Sequence, residues 1–504
     1  MTQSTQAPTA EARSAYDLPL ASYDPQRQPS HVLPAKMPKI VVIGAGSAIF
    51  GLNALATLVR SPRLRGAELA LVDINAEALD LMTRLAEVMN REWGAQMKIN
   101  AYTDRTKALP GADFVVVTIQ VGHRETVWRK DWEIPLKHGI RQPYAENSGP
   151  GAFAHAARNM PVMLDIAKDM ERYCPNALYM NFTNPLIRLT WGVKRYSTVP
   201  VVGMCHQLEW GYSMVGALLA EHYGYADEVP ADFHVHTDAN NVPITFHMSH
   251  RAHEHVQIKA AGINHFSWIY DIREKGTGKD MYPLLREKFA QYRKTFEPLT
   301  REMFEIFGLM PTAGDSHMCE YLAFTHDPIT KPWEKYHLKL QNWDMNLERR
   351  AARLQQAQDI VSGKRDVNEV RAAKTEGLPE IIEAMTYNDN LYMEQLNLYN
   401  NGKIPNLPAD AIVEVPGVVG SSGVHGLNVP PLPYGIAELC RRELALSSLV
   451  VDAAVQGDRD LALQALLLDP MMNDIDRARA ILADFLESFA EYLPQFHGQW
   501  KLNG

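Results

Sequence analysis

Cysteine is scarce in this sequence, with four in 504 residues: Cys174, Cys205, Cys319 and Cys440. A disulfide-stabilised secreted domain needs a much denser set, so the composition excludes a disulfide framework and favours a reducing, cytoplasmic location. Apolar runs of about 18 residues are also absent, so we expect no transmembrane helix and no membrane partner. Excess positive charge is missing as well, because the formal net charge is −9. Nucleic-acid binding requires a basic surface, so this balance argues against a nucleic-acid partner.

Two regions of different character follow a polar N-terminal arm. Residues 1–37 are proline-dotted and lack the apolar core of a signal peptide, so we expect a disordered arm. Over residues 38–205, apolar β-branched runs alternate with amphipathic helical patterns, which indicates a doubly wound parallel sheet of Rossmann type. Residues 206–504 carry a few strand-like runs and then mostly helical patterns. The sequence therefore predicts an α/β dinucleotide-type domain followed by an α+β, mostly helical domain.

The segment IGAGSAIFG has the pattern of a nucleotide-binding turn. Gly44, Gly46 and Ser47 lie between a predicted strand and a predicted helix, where backbone N–H groups can approach a pyrophosphate. Ile49 occupies the usual third glycine position, so the G-x-G-x-x-G match is partial. Asp73 ends the next strand and is suited to bind an adenosine ribose, while its charge would repel a 2′-phosphate. The pattern favours NAD over NADP, and a strand–turn–helix without a ligand is the alternative.

Two G-x-x-H segments, GMCH (203–206) and GINH (262–265), provide candidate metal ligands. Each follows a strand-like run, so each is expected near the end of a sheet, where ligands of α/β proteins collect. Cys205 and His265 offer a thiolate and an imidazole, which suit a first-row divalent ion. A buried inert thiol and a hydrogen-bonded core histidine are the alternatives, and the residues alone leave them open.

Seven segments between Lys39 and Pro470 resemble, in order, the motifs of glycoside hydrolase family 4: IGAGSAIFG, NFTNP, VVGMCHQ, AGINHF, MPTAGDSHMCEYL, NNGKIPNLPADAIVEVP and LALQALLLDP. The resemblance implies a fold like that of lactate/malate dehydrogenases in the N-terminal half. It also implies cleavage of glycosides with NAD and a divalent metal, usually Mn²⁺, under reducing conditions. Such NAD-dependent enzymes are exceptions to glycosidase chemistry with two carboxylates.

The resemblance assigns roles to single residues. Cys205 and His265 match the metal-binding cysteine and histidine of the family, although the 60 residues between them exceed the spacing in many members and imply an insertion. Asn184 of NFTNP matches an asparagine that contacts the sugar. His206, which follows the metal cysteine, is expected to meet the substrate. Apart from the resemblance, Glu146 precedes a glycine turn in AENSGPGAF and is expected to line the sugar pocket.

Two aspartates are candidates for proton transfer. Asp315 in MPTAGD resembles an aspartate proposed as the catalytic base, and a helix-capping aspartate is its alternative. Asp131 in RKDWEIPLKHG resembles a suggested general acid, and an exposed charge is its alternative.

The implied reaction is oxidation of the sugar at C3, removal of the acidified C2 proton, elimination of the aglycone, addition of water and return of the hydride. His206 argues against the 6-phosphoglycosidase branches, and Asp315 favours an α-glucoside or α-glucuronide over galactosides. The resemblance to family members implies that this protein is a homodimer or homotetramer and that it acts on a small-molecule glycoside. The alternatives are an α-galactosidase or α-galacturonidase of the same family, an NAD-dependent dehydrogenase of the lactate/malate type, and a catalytically silent binding protein.

Overall fold

The structure is a computed structural model that describes residues 36–47, 50–235 and 242–502. These residues belong to one compact unit. The predicted N-terminal arm, apart from its last two residues, and Ile49 of the nucleotide motif lie outside the described residues.

One mixed sheet organises the described part of the chain. Its strands are β1 Lys39–Ile43, β2 Glu68–Val72, β3 Lys98–Tyr102, β4 Phe114–Val117, β5 Leu178–Asn181, β6 Val201–Gly203, β7 Val256–Ile263, β8 Phe266–Glu274, β9 Met310–Pro311, β10 Leu391–Tyr399, β11 Ile412–Gly420 and β12 Gly423–Gly426. Their spatial order is β3-β2-β1-β4-β5-β6-β10-β11-β7-β8-β9, and β12 pairs with β11.

Helices cover both faces of this sheet. They are α1 Phe50–Arg60, α2 Ala76–Trp93, α3 Arg105–Ala108, α4 Arg129–Lys137, α5 Pro150–Tyr173, α6 Leu186–Tyr196, α7 Gln207–Tyr223, α8 Val242–His255, α9 Tyr282–Gln291, α10 Pro298–Phe307, α11 Gly314–Met318, α12 Pro332–Lys335, α13 Trp343–Val361, α14 Leu378–Tyr387, α15 Tyr434–Gln456, α16 Arg459–Leu468 and α17 Ile475–Ser488. None of these described helices is both long enough and apolar enough to cross a bilayer.

The predicted Rossmann-type sheet is confirmed. Strands β1 to β6 pair in parallel in the order 3-2-1-4-5-6, the classical doubly wound arrangement. Successive side chains of a strand point to opposite faces, so Ile40 and Val42 pack with α1 and α2 while Val41 and Ile43 pack with α5. Burial on both faces explains why β1, β2 and β4 are apolar runs in the sequence, whereas the edge strand β3 is partly exposed.

The sheet continues beyond residue 205, where the sequence predicted a domain boundary. Gly203 of β6 pairs with Asn397 of β10 in the antiparallel sense, and β10 pairs with β11. Strand β11 in turn pairs with β7 through Glu414 and Gly262. One sheet therefore connects the dinucleotide-type half to the strands that follow it.

Candidate active site

Four of the predicted site residues lie just beyond the carboxyl ends of parallel strands. Gly44 follows β1, Asp73 follows β2, Asn184 comes three residues after β5, and Cys205 comes two residues after β6. Because these strands are parallel, their carboxyl ends share one edge, which is where ligands bind in open α/β sheets. His265 reaches the same region from the turn between β7 and β8.

The turn after β1 has no room for side chains at its glycines. Gly44 has φ of +89°, and a Cβ there would lie 2.0 Å from the Thr118 carbonyl oxygen. The Gly46 N–H donates to Asp73 Oδ2 at 2.8 Å, and a Cβ on Gly46 would lie 2.7 Å from that oxygen. Ser47 Oγ accepts the Phe50 N–H at 3.3 Å, as an N-cap of α1 does. A backbone cradle without side chains at the start of a helix fits a dinucleotide pyrophosphate.

Asp73 has a local task that the sequence did not predict. Its carboxylate accepts the N–H groups of Gly46 and Asn75, at 2.8 and 2.9 Å, and so holds the nucleotide turn against the end of β2. Binding of a ribose hydroxyl by Asp73 stays a prediction.

Cys205 and His265 come together although 60 residues separate them. Cys205 Sγ lies 3.1 Å from His265 Nε2. Burial, followed by the nearby His317, lowers the pKa of His265 well below its usual value, so the imidazole is neutral and can offer a lone pair. Burial, followed by the charge of Glu414, raises the pKa of the Cys205 thiol. A divalent cation would reverse that shift, since metal-bound thiols lose their proton.

This pair fits a divalent metal with an incomplete protein coordination shell. Sulfur and imidazole nitrogen are suitable donors for a first-row divalent ion. Within the described residues, no group of three or more histidine, cysteine, aspartate or glutamate side chains is arranged to hold a metal. Two protein ligands would leave the remaining positions to substrate oxygens or water, as a catalytic site requires.

The turn that carries His265 is fixed by buried polar side chains. The His265 N–H donates to the Tyr321 hydroxyl at 3.1 Å, and Asn264 Nδ2 donates to Gln207 Oε1 at 3.1 Å. Gln207 Nε2 also donates to the Thr312 hydroxyl. Gln207, the third residue of the CHQ segment, is fully buried and supports the metal-ligand turn.

A histidine–glutamate pair beside His265 was missed by the sequence analysis. The ring of His317 stacks on that of His265 with centroids 4.8 Å apart, and His317 Nδ1 lies 2.6 Å from Glu320 Oε1. Glu320 is fully buried. Both residues lie in the segment MPTAGDSHMCEYL at a spacing of three, which places two side chains on one helical face. That spacing was the available signal.

Asp315, the predicted base, is bound to a helix terminus. Its two oxygens accept the N–H groups of Leu299 and Thr300 at 3.0 and 2.7 Å, at the start of α10. Burial and the neighbouring Glu297 raise the pKa of this carboxyl. The capping alternative therefore describes its geometry, but the capped helix is α10 and not the helix that follows Asp315. Asp315 also lines a cavity of about 260 Å³ with Tyr144, whose ring is 5.3 Å from that of His317.

Asp131 lies in a buried ion pair. It is fully buried, not exposed, and Arg158 donates to both of its oxygens, at 2.9 and 2.6 Å. His155 Nδ1 lies 3.2 Å from the second oxygen. Such a bidentate arrangement is typical of a strong buried ion pair. This geometry is that of a structural ion pair, and the general-acid role stays a prediction.

The three predicted substrate residues have different surroundings. His206 keeps 40% of its side chain exposed and lies 2.7 Å from Glu376 through Nδ1. Burial and Arg349 oppose protonation of this imidazole, but Glu376 outweighs them and raises its pKa. Asn184 is half-buried, and Glu146 is half-buried with its Oε2 accepting from Asn147 at 3.4 Å.

Sequence comparison with known families agrees with this arrangement of residues. The model of the family 4 glycosyl hydrolases matches residues 39–217, and that of the family 4 C-terminal domain matches residues 260–472. The chain belongs to family 4 of the glycosyl hydrolases. The resemblance seen in the motifs is thereby confirmed.

This family 4 glycosyl hydrolase is similar to several characterised proteins. An α-glucosidase of Erwinia rhapontici is 30% identical over 89% of this chain and 97% of the relative. An α-galactosidase of Bacillus subtilis is 30% identical over 92% of this chain and 99% of the relative. A 6-phospho-α-glucosidase from gut microorganisms, solved with NAD and Mn²⁺, has the same fold with a TM-score of 0.72 and 21% identity, over 91% of this chain and all of that one.

Proposed function

We propose that this family 4 enzyme hydrolyses an unphosphorylated α-linked glycoside with NAD and a divalent metal, for which Mn²⁺ is the first candidate. The observation that carries the proposal is the Cys205–His265 pair, 3.1 Å apart at the same sheet edge as the Gly44–Gly46 turn. A dehydrogenase of the lactate/malate type has no need of a thiolate–imidazole pair beside its nucleotide turn.

Each proposed role follows from the position of a residue. Gly44, Gly46 and Ser47 hold the pyrophosphate of NAD, with Asp73 at the ribose. Cys205 and His265 hold the metal. The substrate-binding residues are Asn184, His206 and Glu146. When bound, NAD supplies a hydride acceptor and the divalent ion supplies Lewis acidity at the sugar.

Two residues are candidates for removal of the C2 proton. The family resemblance supports Asp315, but both of its oxygens are already bonded to the N-terminus of α10. Geometry supports His317, because a proton on Nδ1, donated to Glu320, would leave the lone pair on Nε2. Its ring also stacks on the proposed metal ligand His265. We therefore assign the base to His317, with Asp315 as the alternative.

Two arginines that form no ion pair within the described residues support an acidic sugar. Arg350 binds Glu125 at 2.9 and 3.2 Å and so places the start of α13 beside residues 124–128. Arg124 lies over the ring of Trp128 at 4.2 Å, and its Nε is buried without a hydrogen-bond partner in the described structure. Arg349 makes no ion pair or hydrogen bond within the described ranges, and its charge acts on His206. Guanidinium groups bind carboxylates well, so a glucuronide is favoured over a glucoside.

A panel of p-nitrophenyl α- and β-glycosides, with uronides included, tests the proposal. NAD, Mn²⁺ and a reductant are each supplied or omitted. We expect aglycone release that requires all three, without accumulation of NADH by absorbance. Accumulation of NADH without aglycone release would instead identify a dehydrogenase.

A further inference from the structure

Glu414 is a buried carboxylate with no cationic side-chain partner among the described residues. It lies on β11 with 2% of its surface exposed. Ser267 Oγ donates to Oε1 at 2.7 Å, and the side-chain amides of Asn264 and Asn397 donate to Oε2 at 3.0 and 3.1 Å. In the described parts of the chain, no lysine, arginine or histidine nitrogen lies within 4.0 Å of it.

Two other buried carboxylates of this protein have an arginine partner. Asp131 is paired with Arg158 at 2.6 Å, and Glu443 is paired with Arg188 at 3.0 Å. Burial of an uncompensated charge is costly, so charged groups in protein interiors are paired or coordinate metals. All three partners of Glu414 are donors, which is the set that an ionised carboxylate needs.

The three donors connect Glu414 to both proposed metal ligands. Asn264 precedes His265 in the β7–β8 turn, and Ser267 lies two residues after His265 in β8. Asn397 pairs with Gly203, which precedes Cys205 by two residues. One carboxylate therefore connects the two segments that carry the ligands, and its charge acts on Cys205.

We propose that Glu414 is the buried counter-charge of the divalent ion and the positioning residue for its two ligands. The inference rests on the proposed function, in which Cys205 and His265 bind that ion. A divalent cation held by Cys205 and His265 would supply the positive charge that the buried Glu414 lacks in the described structure. Outer carboxylates of this kind orient metal ligands and tune metal affinity.

Direct Mn²⁺ binding tests the proposal without turnover. Free Mn²⁺ is measured by electron paramagnetic resonance during titration of wild-type, Glu414→Gln and Glu443→Gln proteins, each with NAD present. Glu414→Gln is expected to weaken Mn²⁺ binding by about 10–100-fold. Its NAD affinity, followed by fluorescence, should not change. The amide should be accommodated, because the buried Asn397 Oδ1 has no partner in the described structure and can accept from it after rotation of the Asn397 amide.

Glu443→Gln is the matched control, because it neutralises a buried glutamate whose hydrogen-bond partners, Ser148, Arg188 and Ser447, lie outside the segments that carry the proposed metal ligands. It should lower thermal stability and leave Mn²⁺ affinity unchanged. If Glu414→Gln binds Mn²⁺ as tightly as the wild-type protein, the inference about Glu414 is overturned and the proposed function is not. A wild-type protein that binds no Mn²⁺ would overturn the proposed function together with the inference. If Glu414→Gln does not fold, Glu414→Met removes the same charge, and the same loss of affinity is expected.

Discussion

Replacement of Asp131 by asparagine separates a structural role from a catalytic one. Arg158 and Asp131 have fully buried side chains, and two hydrogen bonds of 2.9 and 2.6 Å join them. Asparagine keeps the shape but removes the charge, so the Arg158 guanidinium is left uncompensated in the core. Breaking a buried pair from one side costs about 3–5 kcal/mol, and we expect the free energy of unfolding to fall by that amount.

Urea unfolding followed by tryptophan fluorescence measures this loss. The matched control is Glu133→Gln on the same helix, α4, which removes the exposed partner of Arg129 at 2.9 Å. An exposed pair contributes about 0–1 kcal/mol, so the control should be close to wild type. A stability of Asp131→Asn equal to that of the control would refute the structural interpretation.

Kinetics give the second half of the test. A general acid matters most when the leaving group is poor, because p-nitrophenolate departs without a proton. We expect the Asp131→Asn protein that remains folded to lose similar activity on p-nitrophenyl and alkyl glycosides. A stable variant that loses activity only on alkyl glycosides would identify Asp131 as the general acid.

Three further substitutions test the proposed site. Cys205→Ser should abolish Mn²⁺-dependent turnover while NAD still binds, as judged by fluorescence titration; unchanged activity would remove the metal assignment. His317→Gln should lower kcat by about 10²–10⁴-fold and suppress exchange of solvent deuterium into C2. If Asp315→Asn shows these losses and His317→Gln does not, Asp315 is the base. Arg349→Gln should lower kcat/KM for an α-glucuronide by about 10–100-fold with little effect on the glucoside. Equal losses on both sugars, or a loss of NAD affinity, would contradict binding of the substrate carboxylate by Arg349. The control is Arg353→Gln, because the Arg353 side chain donates to Gln356.

Features that depend on local patterns were determined by the sequence. The apolar runs of β1, β2 and β4 predicted the parallel sheet, since a strand buried on both faces is apolar at nearly every position. The Gly44–Gly46 turn followed from the glycines between a strand and a helix, where the structure leaves no space for a Cβ. The seven motifs identified the family. The His317–Glu320 pair, three residues apart on one turn, was also within reach of such reasoning.

Partners that lie far apart in the chain were decided only by the tertiary structure. The sequence left Asp131 as either a general acid or an exposed charge. Only the packing of α5 shows that Arg158 binds it in the interior. Asp315 caps α10, which precedes it in the chain, and not the helix that begins beside it. Glu414 belongs to a strand that reaches the metal ligands only because β11 pairs with β7 and β10 pairs with β6. A sequence shows the periodicity that makes each element, but the partner of a buried charge depends on which elements pack together.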